Sequence, residues 1–191
     1  MSRLGRRRVV TKWLTSTPES RRADLEGWLD DLFYRALAWV VGARAFVVET
    51  TLVGTVTNGL SALIGAESRA GFVTGLVRGL GGNLGLADRA AFAKEVFAWA
   101  GERPPDAGAP LDCDVDPGTG ALYGFSSRCG GVAGGRSDGE GLSLDSVIET
   151  VSTQRAMRCL APWVERAEPF LLVVRRVRAL HPGVPRPPRQ S

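Results

Sequence analysis

The residues whose spacing carries the most chemistry in this chain are three alternate carboxylates, Asp112, Asp114 and Asp116, with Gly118 and Gly120 behind them. Carboxylates two apart in a turn can converge on one hard cation, as they do in the first half of a calcium loop. The rest of that pattern is missing: Pro117 replaces the turn glycine, and Tyr123 stands where a bidentate glutamate would close the shell. The segment therefore reads as a solvated acidic loop. Cys113, Cys129, Cys159 and His181 match a zinc site in number, but they lack the close Cys-x-x-Cys pair that anchors such sites. An odd number of cysteines excludes a fully paired framework within one chain, although a Cys113–Cys129 bridge could close the loop in an oxidising setting. No metal is expected.

His181 is the single histidine and precedes Pro182 in a short tail. A general base must be held within hydrogen-bond reach of its proton, so a histidine-based triad has nowhere to form here. A phosphate-binding P-loop and a histidine zinc pair are both absent from the sequence, and each is the minimum its chemistry requires. The sequence predicts neither catalysis nor a cofactor.

The partner signal lies in the arginines. The 191 residues carry 24 Lys and Arg against 20 acids, a net +4. Arg3, Arg6, Arg7, Arg8 and Lys12 open the chain, and Arg175, Arg176, Arg178, Arg186 and Arg189 close it, with no acid among either group. Removing those ten cations leaves a body of net −6. An acidic body between basic ends can attract phosphates by counterion release. Arg6–Arg8, Arg175, Arg176 and Arg178 are accordingly candidate contacts to a partner, with nucleic acid or an anionic membrane as the alternative to protein. Base-stacking aromatics are missing from both ends. Arginine outnumbers lysine 22 to 2 along the whole chain, which reads as GC-rich coding. The tail prolines Pro182, Pro185 and Pro188 are three apart, a spacing that suits a polyproline II ligand.

The elements that must position these residues are helical. Leu25, Trp28, Leu29, Leu32, Phe33, Ala36, Leu37, Val40 and Val41 recur at i, i+3, i+4 and i+7, one apolar face of a helix from Pro18 to about Val41. Thr17 is its expected N-cap and Pro18 its first residue. Full burial of that face is worth at most roughly 15–25 kcal/mol, so the helix demands a packing partner. Residues 44–66 combine strand-loving side chains with helical spacing (Val48, Leu52, Val56, Leu60, Leu63, Ile64); a helix is expected, broken near Asn58-Gly59. Gly71, Gly75 and Gly79 then line one face of a further helix and invite close backbone approach, within the domain or, alternatively, in a membrane-seeking segment or between two copies of the chain. Leu86–Ala100 is a clean helix stopped by Gly101. Residues 103–142 hold ten Gly and four Pro and read as a long loop. A helix resumes near Ser143 or Asp145, with Val147, Ile148 and Val151 inward, and lasts to about Ala161; Pro162 restarts the chain, and Trp163, Val164 and Ala167 suggest one or two more turns before Pro169.

The fold class so read is all-α: a compact bundle of five or six helices with a long Gly/Pro-rich loop and disordered basic termini. The divisions are a basic flexible arm (1–15), a helical core (16–102), the loop (103–142), C-terminal helices completing the same domain (143–180) and a Pro/Arg tail (181–191). The start of the chain lacks the apolar stretch of a secretory leader, and Thr50–Ala66, 17 uncharged residues, is too short and polar to span a bilayer. An intracellular protein with reduced thiols is expected.

Two stretches resemble the BH-domain apoptosis regulators: Val47-Val48-Glu49 with Asn58-Gly59, and Pro162-Trp163-Val164-Glu165. The resemblance covers about a dozen residues and implies a helical bundle whose groove accepts an amphipathic peptide helix. The functional expectation is a non-enzymatic protein–protein interaction adaptor, with Trp163 and the arginine clusters making contact. Anionic-surface binding and the BH-domain-like groove are its alternatives.

Overall fold

A computed structural model describes residues 19–42, 46–126, 128–129 and 148–170. Five helices dominate: α1 (residues 19–42), α2 (Leu52–Ser61), α3 (Arg69–Gly81), α4 (Leu86–Ala100) and α5 (Val151–Glu165). The all-α expectation holds at that level, and the structure adds two short antiparallel pairs. β1 (Cys113–Val115) pairs with β2 (Leu122–Gly124), and β3 (Arg128–Cys129) with β4 (Ile148–Glu149).

The apolar spacing of α1 is realised as burial. Leu25, Leu29, Leu32, Phe33, Ala36 and Val40 are in the core, and Trp28 and Leu37 pack against it. Val41, one residue and so about 100° round the helix from Val40, is instead 53% exposed. Residues Leu29–Phe33 form a π-helical turn inside this helix, a feature that periodicity does not announce. Thr17 and Pro18, its expected cap and first residue, lie outside the described residues, as do both arginine clusters and His181.

Helix α3 is the centre of the domain: residues 72 to 77 are all buried, as are Leu80 and Gly81. Its glycines receive α2 and the turn after it. A methyl group on Gly79 would come within 2.6 Å of Ala62 Cβ and 2.8 Å of Asn58 O, and one on Gly75 within 2.7 Å of Ala62 O. Gly59 answers from α2, lying against Leu80. The glycine stripe is thus spent on packing inside the chain, which removes it as a self-association face. Phe72 meets the Trp28 ring edge-on at 5.7 Å, Trp39 lies 5.1 Å from Phe92, and the Arg35 guanidinium sits 4.1 Å over Trp99.

Each break in the helices has a local cause. Thr51, Ser68 and Thr150 cap α2, α3 and α5, each side-chain oxygen accepting from the amide three residues on, which satisfies a donor that the first turn leaves open. Gly101, at φ +68°, stops α4, as its left-handed backbone allows. The Asn83 amide accepts from Val48 N at 2.9 Å and donates to Val48 O at 2.6 Å, while Val47 N donates to Asn83 O.

This pairing corrects the reading of residues 44–66. Residues 46 to 48 stay outside the helix because Leu84 bridges Phe46 and Asn83 holds Val47 and Val48, and the helix begins only at Leu52 and passes Asn58-Gly59 unbroken. The loop expectation for 103–142 is corrected where described, since it contains the β1–β2 hairpin. The last helix starts at Val151 rather than near Ser143, because Ile148–Glu149 is a strand and Thr150 the cap. It runs on through Pro162 to Glu165 without the restart expected there, and the turns expected around Trp163 and Val164 belong to the same helix. Among the described residues no helix is long and apolar enough to cross a membrane.

Candidate functional site

The alternate carboxylates are where the structure gathers its ionic chemistry, and arginines from two helices take up two of them. Strand β1 turns Asp114 into a nearly buried position, 11% exposed, between two guanidinium groups. Arg78, from the last turn of α3, approaches Asp114 Oδ1 at 2.9 Å and also donates to Cys113 O at 3.0 Å. Arg158, from α5, approaches Asp114 Oδ2 at 3.0 Å and donates to Tyr123 OH at 3.2 Å. One turn earlier on the same face, Arg155 donates to Asp112 Oδ1 through Nε at 2.6 Å and pairs with it through Nη2.

Asp116 is used differently. Its carboxylate accepts from the amides of Gly118 and Thr119 and from the Thr119 hydroxyl at 2.8–3.0 Å, an Asx turn that closes the hairpin. The Thr119 amide, its hydroxyl and the Gly118 amide hold this carboxyl below its ordinary range, since donors to the charged form favour it. With Asp112 and Asp114 taken by arginines and Asp116 by its own turn, the three do not converge. No group of three or more potential ligands able to hold a metal ion occurs among the described residues.

Arg78, Asp114 and Arg158 line a cleft of about 490 Å³ between the start of α3, the hairpin turn and α5. Ser68 and Thr74 line one side and Cys159 and Trp163 the other. Trp163, the one predicted contact residue that is described, is half-buried there. Arg166 lies 5.7 Å from its ring, pairs with Glu168 and donates to Ser61 O at 3.1 Å, which ties the end of α5 to α2. Arg89 sits apart, donating to the carbonyls of Gly81 and Leu84 at 3.1 and 3.2 Å and to that of Gly82. It thereby caps the C-terminal end of α3, where a cation meets the negative end of the helix; burial is the main cause lowering its pKa.

Sequence reasoning missed Arg78, Arg155 and Arg158. Only Arg155 and Arg158, three apart on a helix and rich in charge, offered a local signal; their partners lie in another element. Cys113 and Cys159 are free thiols, so the bridge considered for the loop is absent at Cys113.

A helical domain with a polar, arginine-lined cleft is a broad class, and the comparisons narrow it. A family profile described as the AAA+ ATPase domain of cytoplasmic dynein 2 heavy chain 1 matches residues 6–100, just under half of the chain. The chain is 43% identical over 169 residues to cytoplasmic dynein 2 heavy chain 1 of Rattus norvegicus. It is 41% identical over 167 residues to the Homo sapiens protein of that name, each alignment covering 86% of this chain. The Chlamydomonas reinhardtii protein of the same name is 28% identical over 169 residues, 87% of this chain. The chain spans 4% of the length of these relatives.

These matches overturn the functional expectation. A chain similar to an ATPase domain over residues 6–100 is not read as a non-enzymatic, arginine-rich adaptor, and the expectation that it has no part in an enzyme is corrected with it. The anionic-surface and BH-domain alternatives fall for the same reason. Asn58-Gly59 is packed on α3, and Pro162-Trp163 belongs to α5 at the cleft. The sequence reading looked for catalysis in local motifs such as a P-loop, and the matched stretch, residues 6–100, holds none.

Proposed function

We propose that this chain is a helical part of an ATP-hydrolysing AAA+ unit of the cytoplasmic dynein 2 heavy chain kind. The observation that carries the reading is the identity of 41–43% over 167–169 residues to two mammalian heavy chains, a span that reaches well past the four-helix core. Phosphoryl transfer is catalysed by positioning and by cations placed where charge develops. In this reading the P-loop comes from another part of the unit, and this chain contributes a rigid helical body with a cationic cleft. Arg158 is the group best placed to respond to an incoming phosphate, because its side chain is 53% exposed while Arg78 is 22% exposed.

Protein partners follow from this reading, since a segment of a large chain packs against its neighbours. Trp163 and the arginines Arg6, Arg7, Arg8, Arg175, Arg176 and Arg178 are proposed contacts to them. A cytoplasmic location follows from the relatives' name. Replacing the matching segment of the human heavy chain with this chain tests the proposal: ATP hydrolysis is retained, and Arg158→Ala in that chimera lowers kcat several-fold while the circular dichroism spectrum stays unchanged. A folded chimera without ATPase activity overturns the reading; unchanged kcat in the variant removes the cleft from it.

A further inference from the structure

Helix α5 meets its own domain with its charged side. Arg155, Arg158 and Arg166 reach Asp112, Asp114 and the Ser61 carbonyl, and Gln154 donates to Ser126 O at 2.6 Å. Residues two apart on a helix point about 200° away from one another. Thr153 and Met157, two either side of Arg155, and Val164, two before Arg166, therefore face outward. All three are exposed, Met157 by 59% and Val164 by 61%, and Leu160, on the same stripe, is half-buried.

The polarity of this helix is thus reversed, with guanidinium groups toward the hub and an uncharged stripe away from it. An amphipathic helix ordinarily turns its apolar stripe to the core, and a helix of about 15 residues is marginal in water by itself. α5 has 15 residues and buries none of them.

The setting of the chain indicates what covers the stripe. An alignment over 86% of the chain leaves out fewer residues than follow Thr150, so most of α5 lies within the stretch matched to the rat and human heavy chains. That stretch makes up 4% of those proteins, which surround it with a far longer chain. At the rim of the stripe, Glu165 is exposed and has no ion-pair partner among the described residues.

Resting on the reading above, we propose that the Thr153–Met157–Leu160–Val164 stripe seats a second helix from the surrounding heavy chain. That helix presents apolar side chains three and four residues apart, with a basic residue set against Glu165. Met157, unbranched and adaptable, suits such a seam. α5 then acts as a strut, held to its own domain by ion pairs and to the neighbour by apolar contact.

Met1 and Met157 are the two methionines of the chain, so a peptide map after hydrogen peroxide treatment reads the stripe directly. In the isolated chain, Met157 is expected to oxidise at close to the rate of an unstructured methionine peptide. In the chimera that carries this segment in the human heavy chain, it is expected to oxidise roughly ten-fold more slowly, since the sulfur is covered. Met157→Asp leaves the Tm of the isolated chain unchanged and lowers that of the chimera. If the full chimera fails to fold, transplanting residues 151 to 165 alone gives the same comparison. A chimera that hydrolyses ATP but leaves Met157 as reactive as in the isolated chain overturns this inference alone. A folded, inactive chimera with Met157 protected overturns the earlier reading and leaves the seam standing. Slow oxidation in the isolated chain, with a dimer in light scattering or capture on anionic vesicles, would assign the stripe to a second copy or a lipid surface and also overturn the proposal.

Discussion

Asp114 joins three elements through one carboxylate: its own strand, α3 through Arg78 and α5 through Arg158. Removing one partner of a buried pair leaves the other uncompensated and costs more than the pair itself contributes. Asp114→Ala is therefore expected to destabilise the fold by about 2–4 kcal/mol in urea denaturation; a loss below about 0.5 kcal/mol would place the pair among ordinary surface bridges. Cys113 gives a pH signature. Its folded pKa of about 11 lies above the unfolded 9.0, so the unfolded chain loses this proton first as pH rises. Stability then falls between about pH 9 and pH 11, by on the order of 1–2 kcal/mol. In Cys113→Ala that part of the slope disappears, which thermal melts at stepped pH would register. At this scale the sequence was half legible. The carboxylates at 112, 114 and 116 stood out by their spacing, but a carboxylate does not announce its cation, and both helices that supply arginines lie far away along the chain.

Among the elements, α1 and α4 were legible because their apolar residues repeat with the helix, and Gly71, Gly75 and Gly79 were legible as a close-approach face. Residues 46 to 48 were not, because what fixes them is Asn83, whose side chain binds Val48 from 35 positions away. The β1–β2 hairpin was hidden by the Gly/Pro content around it, which marks turns without saying what lies between them. The α2–α3 seam makes a sharp prediction. Gly79→Ala drives a methyl into the backbone oxygen of Asn58, and overpacking of this kind costs about 1–3 kcal/mol, more than the gain of up to about 1 kcal/mol in helix propensity. Gly27→Ala, where nothing lies within 4 Å, should instead stabilise by about 0.5–1 kcal/mol. A lowered Tm for the first and a raised Tm for the second is the expected pair; equal shifts would show that the seam is looser than drawn.

At the scale of the molecule, apolar burial is concentrated in α1 to α4, whereas α5 has no buried residue. Opening free energies track buried contacts, so amides of α3 should exchange with solvent hydrogen only on global unfolding and those of α5 well before. Similar protection in both would mean that α5 is held by more than its polar contacts. The function was the least legible level. No residue pattern in this chain points to such a reading by itself, and the similarity rests on a whole helical segment matched to much longer proteins.

The mooring of α5 by Arg155, Arg158 and Arg166 has a consequence for behaviour in brine. Mobile ions screen partly exposed charge pairs over roughly 8 Å at physiological strength and over shorter distances as salt is added, while salting-out anions such as sulfate tighten oily contacts. Concentrated sulfate would therefore stiffen the hub of the molecule and slacken its outrigger at the same time.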